Sequence, residues 1–135
     1  MKLWGGRFKK EMDPLLKCFS YSLSVDHALL EAELRVNRAW AKMLARVRLI
    51  SAAESRRLLR GIDALARKFA KRDPHREASF WESYTNRYED IHTLIQIELE
   101  KLAGPVAKKL HTGRSRNDLV VTSTRVYLKE KAVSE

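Results

Sequence analysis

From Asp26 the chain falls into a helical period. Leu29, Ala32, Val36, Ala39, Trp40, Met43, Val47 and Ile50 recur at spacings of three and four. Arg35, Arg38, Lys42 and Arg46 take the other side. Ser51-Ala-Ala-Glu54 has the form of a capping box, in which the Ser hydroxyl accepts from the fourth residue's N–H and the Glu reaches back. It opens a second helix with Leu58, Ile62, Leu65, Ala66 and Phe69 on its apolar stripe, ended by Asp73-Pro74. Residues 74–86 read as a loop or a short turn of helix carrying Phe80 and Trp81. A third helix is expected from about Arg87 to Ala103, with Ile91, Leu94, Ile95, Leu99 and Leu102 on its apolar side. Gly104-Pro105 stops it.

Asn117 or Asp118 is expected to cap a fourth helix running to the C-terminus. The β-branched residues of Leu119–Leu128 favour a strand on propensity alone. Val121, Thr124 and Leu128 nevertheless keep a helical spacing, and three helices precede them, so helix is preferred. No stop signal precedes Ser134-Glu135, which suggests an element that continues further. Residues 1–20 read as an irregular arm broken at Gly5-Gly6 and Asp13-Pro14. The expected fold class is all-α.

Composition narrows the setting. The chain has 135 residues, 44% of them apolar and 33% charged, enough apolar content for a real core and too much for disorder. Five Gly and three Pro argue against turn-dense all-β folds. The single cysteine, Cys18, excludes an internal disulfide and fits a reducing compartment. It sits in a polar stretch with no obvious base, against a nucleophilic thiol. No apolar run approaches the ~18 residues that span a bilayer, and MKLWGGRFKK shows no signal-peptide core. The formal charge is +10, and it is local. Residues 35–76 hold thirteen basic and three acidic side chains, while the flanking stretches are each neutral. Such a block can bind nucleic acid. It maps onto the outer faces of two helices without an aromatic stacking pattern, so a solvated surface is the preferred reading.

Two clusters carry candidate chemistry. His111-Thr112-Gly113-Arg114-Ser115-Arg116-Asn117-Asp118 places a Gly, hydroxyl and amide side chains and two guanidinium groups just before a helix N-terminus. Free N–H groups, the helix dipole and Arg forks there favour a carboxylate or phosphate. The plainer alternative is a polar loop with an ordinary cap. Glu89-Asp90-Ile91-His92, followed by Gln96, puts Glu89, His92 and Gln96 on one helical face, where a carboxylate raises and orients an imidazole. Its plainer alternative is an ordinary hydrogen-bonded histidine. His27 and His75 have no such company and read as structural. There is no Cys-x-x-Cys, His-Glu-x-x-His, EF-hand, Walker or Gly-x-Gly-x-x-Gly pattern, so no metal or cofactor is expected.

Leu3-Trp4-Gly5-Gly6-Arg7-Phe8, Glu89-Asp90-Ile91-His92 and Lys109–Asp118 together resemble argininosuccinate lyases, in that family's order and near its spacing. The resemblance spans the chain, which answers to an N-terminal part of the family's length. It implies reversible, cofactor-free cleavage of argininosuccinate into arginine and fumarate in the cytoplasm. A base takes a proton from the succinyl Cβ, the guanidinium nitrogen leaves from the adjacent carbon, and charge gathers on a carboxylate that preorganised donors stabilise. By matching motif positions, His92 is the candidate catalytic residue. Ser22, Thr112, Arg114, Ser115, Arg116 and Asn117 are the candidate substrate-binding residues.

The resemblance also implies a small N-terminal helical domain, placed at 1–107. An anion-site loop and the start of a long-helix bundle follow at 108–135. The implied partners are a second copy, as in a homotetramer, or the remaining lyase segments. The family's later Thr-His pair and mobile Ser-rich loop, which hold its main proton-transfer candidates, have no counterpart here, so the isolated chain is expected to be inactive. Three positions depart from the pattern: Gln96 and Ser123 replace usual acids, and Leu119 a usual Gln. An amide at 96 can orient an imidazole but supplies no negative charge. Two other readings are a non-catalytic binding or scaffold relative and a basic nucleic-acid-binding domain.

Overall fold

Asp13-Pro14 starts a helix rather than interrupting an arm. The computed structural model describes residues 12–71 and 77–134, and there α1 runs over Pro14–Ser20. The Asp13 carboxylate accepts from the N–H of Leu15 at 2.8 Å, and proline at the first helical position needs no donor partner. The Leu3–Phe8 motif, Asp73-Pro74 and His75 lie outside the described residues.

The long period expected from Asp26 to Ile50 is three pieces. A four-residue α2, Leu23–Asp26, passes through a 3₁₀ turn at His27–Leu29 into α3, Leu30–Arg46. Arg48, at φ 62°, closes α3, and the N–H groups of Leu49 and Ile50 fold back onto the Leu44 carbonyl. Ile50 is buried beyond the helix, not on it. Of the residues the spacing picks out, Ala32 is buried and Leu29, Trp40 and Met43 pack against the core's edge, but the most buried face of α3 overlaps that stripe only partly. Leu30, Leu34, Ala41 and Leu44 are buried there together with Glu33 and Asn37. Val36, Ala39, Trp40 and Met43, roughly a third of a turn away, line an open groove of about 750 Å³ shared with α7. The helix has two apolar faces, and the one with polar interruptions is the inner one.

α4, Ala52–Ala70, follows its pattern closely. Ser51 and Glu54 form the capping box, and Leu58, Ile62, Leu65 and Phe69 are all buried. Residues 74–86 hold more helix than expected: α5 spans Glu77–Thr85. An aromatic cluster fastens it, with Trp81 stacked 5.8 Å from the Phe69 ring and Phe80 and Tyr84 edge-on to Phe69. His27, 4.8 Å from Trp81, belongs to this packing, as its structural reading required.

α6, Ile91–Ala103, starts four residues later than expected because the Asp90 side chain caps it, accepting from Thr93 N–H at 2.7 Å. Glu89 therefore precedes the helix and does not share a face with His92. α6 is the centre of the molecule and buries residues on all sides, including polar His92, Thr93, Gln96 and Glu98. Gly104, at φ 70°, ends it in a conformation that suits glycine. A 3₁₀ segment, Gly104–His111, packs back along α6 and leads to α7, Arg116–Ser134.

The helix reading of residues 119–128 holds, but its cap and its face are corrected. Ser115 is the cap: Asp118 N–H donates to Ser115 Oγ at 3.3 Å, and Ser115 N–H to Asp118 Oδ2 at 2.8 Å. Leu119 and Ser123 face inward, while Val121 and Leu128, about half a turn away, are 50% and 59% exposed. α3 and α4 lie side by side, and the basic block spreads over their outer surfaces, where Lys42, Arg46, Arg56, Arg60 and Arg67 are exposed. Among the described residues no strand forms, and no helix is long and apolar enough to cross a membrane.

Candidate functional site

Successive turns of α6 gather the candidate residues. At its N-terminus two carboxylates sit side by side. Asp26 Oδ1 accepts from Ile91 N–H at 3.0 Å, and its Oδ2 accepts from the Ser22 hydroxyl at 2.7 Å. Asp90 accepts from Thr93 N–H and binds the Arg116 guanidinium, which also donates to Thr93 Oγ1 at 3.1 Å. Ser22 N–H donates to the Glu89 carbonyl at 2.8 Å. Ser22 and Arg116, 94 positions apart by number, are thus tied to the same helix end. Burial is the leading influence on Asp26 and raises its carboxyl above the usual value against the Ser22 and Ile91 donors.

In the same first turn, His92 is buried to 7% exposure with Nδ1 2.5 Å from Oε2 of Glu33, itself 1% exposed. The contact is a close ion pair whose N–H does not lie along a hydrogen-bond axis to the carboxylate. Burial pushes the imidazole pKa down, but the Glu33 carboxylate, helped by Asp90 and Asp26, more than reverses this and the net shift is upward. Glu33 Oε1 also accepts from Asn37 Nδ2 at 3.4 Å, and Asn37 Oδ1 accepts from Arg114. Arg114 lies inward, its guanidinium 5.5 Å over the Trp40 ring, with Nε and Nη1 buried and without partners. Burial lowers its pKa below the usual value.

A further turn on, Gln96 Oε1 lies 3.0 Å from Nε2 of His111, not from His92. Burial, then repulsion from Arg114 and Arg116, lowers the His111 pKa. The two histidines are therefore pushed in opposite directions: His92 toward the cation, His111 toward the neutral ring. Gln96 does not deprive His92 of a negative partner, because Glu33 supplies it from α3.

The loop between the 3₁₀ segment and α7 folds on Gly113, at φ 71°, a left-handed position that suits glycine. The Thr112 carbonyl accepts from Trp40 Nε1 at 3.3 Å. Thr112, Ser115 and Asn117 are exposed around α7's first turn. Asp118 sits where an external anion was expected, held below the usual carboxylate range by Ser115's N–H and hydroxyl. Ser115 N–H, Arg116 and one arm of Arg114 are thus met by the chain's own Asp118, Asp90 and Asn37, while Arg114 Nε and Nη1 stay without partners. His92, Arg114, Arg116 and Leu119 line a cavity of about 20 Å³ with Glu33 and Asn37, room for one water.

Residues 6–135 match a family described as lyase. The chain belongs to that family. Argininosuccinate lyase from Clostridium kluyveri is 40% identical over 133 residues, covering 98% of this chain and 28% of that protein. The Desulforudis audaxviator argininosuccinate lyase is 45% identical over 130 residues, 96% of the chain and 27% of that protein. That of Roseiflexus sp. is 42% identical over 125 residues, 93% and 26%. The chain spans little more than a quarter of the length of these relatives and answers to their N-terminal portion. Of the residues that hold this cluster together, the sequence reading missed Glu33, Asn37, Asp26 and Trp40. The available signal was Glu33 and Asn37 four apart among Leu30, Leu34, Ala41 and Leu44, two polar residues where the face should be apolar.

Proposed function

We propose that the chain forms the N-terminal portion of an argininosuccinate lyase, which cleaves argininosuccinate reversibly into arginine and fumarate by β-elimination in the cytoplasm. The observation that carries this reading is the joining of His92, Ser22 and the 111–117 loop on one helix, in a chain whose relatives share that name. In this reading His92, Ser22, Thr112, Arg114, Ser115, Arg116 and Asn117 meet the substrate's succinyl end, where donors stabilise the carboxylate that gathers charge. Ser22 and Arg116 are oriented by Asp26 and Asp90; Arg114 is oriented by Asn37. The proton acceptor comes from segments beyond this sequence, so the chain alone does not turn over.

Residues 1–107 act as the helical domain and 108–135 as the anion loop and opening helix of a bundle. The exposed Val121 and Leu128 on α7 are a face for the remaining lyase segments or a second copy to cover. The test is fumarate release from argininosuccinate, followed by ultraviolet absorbance, with the chain mixed with a separately expressed remainder of the Clostridium kluyveri relative. Activity in the mixture and in neither part alone is the expected result. Silence in a mixture shown by sedimentation to have assembled overturns it. That silence would favour a non-catalytic binding relative, the reading that the departures at Gln96, Leu119 and Ser123 permit.

A further inference from the structure

We infer that Glu33 is a positioning residue: its buried carboxylate fixes the His92 ring through Nδ1, so that Nε2 presents an N–H to a carboxylate ligand and does not act as the proton-abstracting base. The ligand's identity as a succinyl or fumarate carboxylate rests on the reading above; the state of His92 does not. The geometry is specific. Glu33 comes from α3 and His92 from the first turn of α6, and their facing atoms are 2.5 Å apart with both side chains buried. Asn37 holds the other oxygen of the carboxylate. With Nδ1 facing the Glu33 carboxylate, Nε2 is the ring nitrogen left.

The surroundings decide the charge. Glu33 faces the ring from α3, Asp90 from the cap of α6 and Asp26 from α2, three carboxylates acting on one imidazole. From the loop side come Arg114 and Arg116 and the ring of His111, lining the same cavity. Arg116 is neutralised by Asp90, and Arg114 is turned to Asn37. Together they shift the ring toward the imidazolium, and an imidazolium has no lone pair with which to remove a proton. What it can do is donate, and a carboxylate gathering charge in an elimination is the acceptor such a donor stabilises.

The test is a proton NMR titration of the His92 ring in the chain as it stands, unmodified and as Glu33→Gln and Glu33→Asp. The expected midpoint lies above 6.5 in the unmodified chain, the ordinary value for histidine. It stays raised in Glu33→Asp and falls in Glu33→Gln. A midpoint below 6.5 in the unmodified chain overturns the inference. So does an unchanged midpoint in a folded Glu33→Gln. If Glu33→Gln fails to fold, the unmodified chain and Glu33→Asp still decide. In the assembled lyase, Glu33→Gln is expected to lower kcat at least tenfold with a smaller change in KM, and to shift the pH profile to lower pH. A Glu33→Gln enzyme with an unmoved pH profile also counts against the inference. A silent assembly with a raised His92 midpoint rejects the lyase reading alone.

Discussion

α3 and α4 lie side by side and are similar in length, at 17 and 19 residues, yet their sequence patterns inform differently. In α4 the expected stripe is the buried one, because its apolar residues sit on a single face and its other face is charged. In α3 the visible stripe, Val36, Ala39, Trp40 and Met43, faces a groove. The core face of α3 carries Glu33 and Asn37 among its leucines. Periodicity finds a core face when burial and apolarity coincide. It misleads when a helix buries polar groups that hold a site, because those groups weaken the signal on the side that matters.

If α4 holds the fold and α3 the site, the largest loss should come from α4. Leu65→Ala is expected to remove about 2–5 kcal/mol of stability, from lost burial plus the cavity left behind. Asn37→Ala should remove about 1–3 kcal/mol, because it strands the already under-partnered Arg114 guanidinium and one oxygen of Glu33. Urea unfolding of both variants measures the contrast. A loss for Asn37→Ala above that for Leu65→Ala would put the stability in the polar seam and break the comparison.

The two regions should also part company with pH. Between α4 and α6, burial pushes the Glu98 carboxyl up, but Lys101, Lys68 and the Tyr88 hydroxyl bring it down to about 2. A lowered carboxylate contributes stability above its unfolded value of 4.5, lost as pH falls from there toward about 2. Between α3 and α6, the raised His92 contributes stability below its unfolded value of 6.5, lost as pH rises through the folded value. Glu98→Gln should therefore flatten the acid side of a stability–pH curve and His92→Gln the neutral-to-alkaline side. Urea midpoints across pH read both. If both variants flatten the same side, the two sites are not electrically independent.

How much was legible follows the same division. The all-α class, α4, its capping box and the Gly104 stop were readable because each rests on local chemistry. The reading of Asp13-Pro14 failed because the same dipeptide serves as a break or as a cap with proline at the first helical position. Asp90 was read as part of a helix when it is the cap, which moved Glu89 off the face of His92. The partner of His92 lay 59 positions upstream, where no spacing rule reaches. On α7 the inward pair is Leu119 and Ser123, a hydrophobe and a hydroxyl, while Val121 and Leu128 point outward. A helix with apolar residues on both sides declares no single core face.

The smallest expected effect concerns how the two helices begin. α4 has a side-chain cap, whereas α3 emerges from the 3₁₀ turn with Leu29 at its cap position and no side-chain bond there. Ser51→Ala removes the acceptor for the Glu54 N–H, 3.2 Å away, and should lower stability by about 1 kcal/mol. The loss should stay that small because the rest of the junction survives. Glu54 keeps its bonds to the Ser51 N–H at 2.8 Å and to Lys109 Nζ at 2.5 Å, which tie α4 to the 3₁₀ segment before the loop. Arg60→Ala, on the exposed face of the same helix, should change stability by no more than about 0.5 kcal/mol. If Ser51→Ala falls within that same margin, the cap marks where α4 begins without holding it, and α4 resembles the uncapped α3 in standing on its buried face alone.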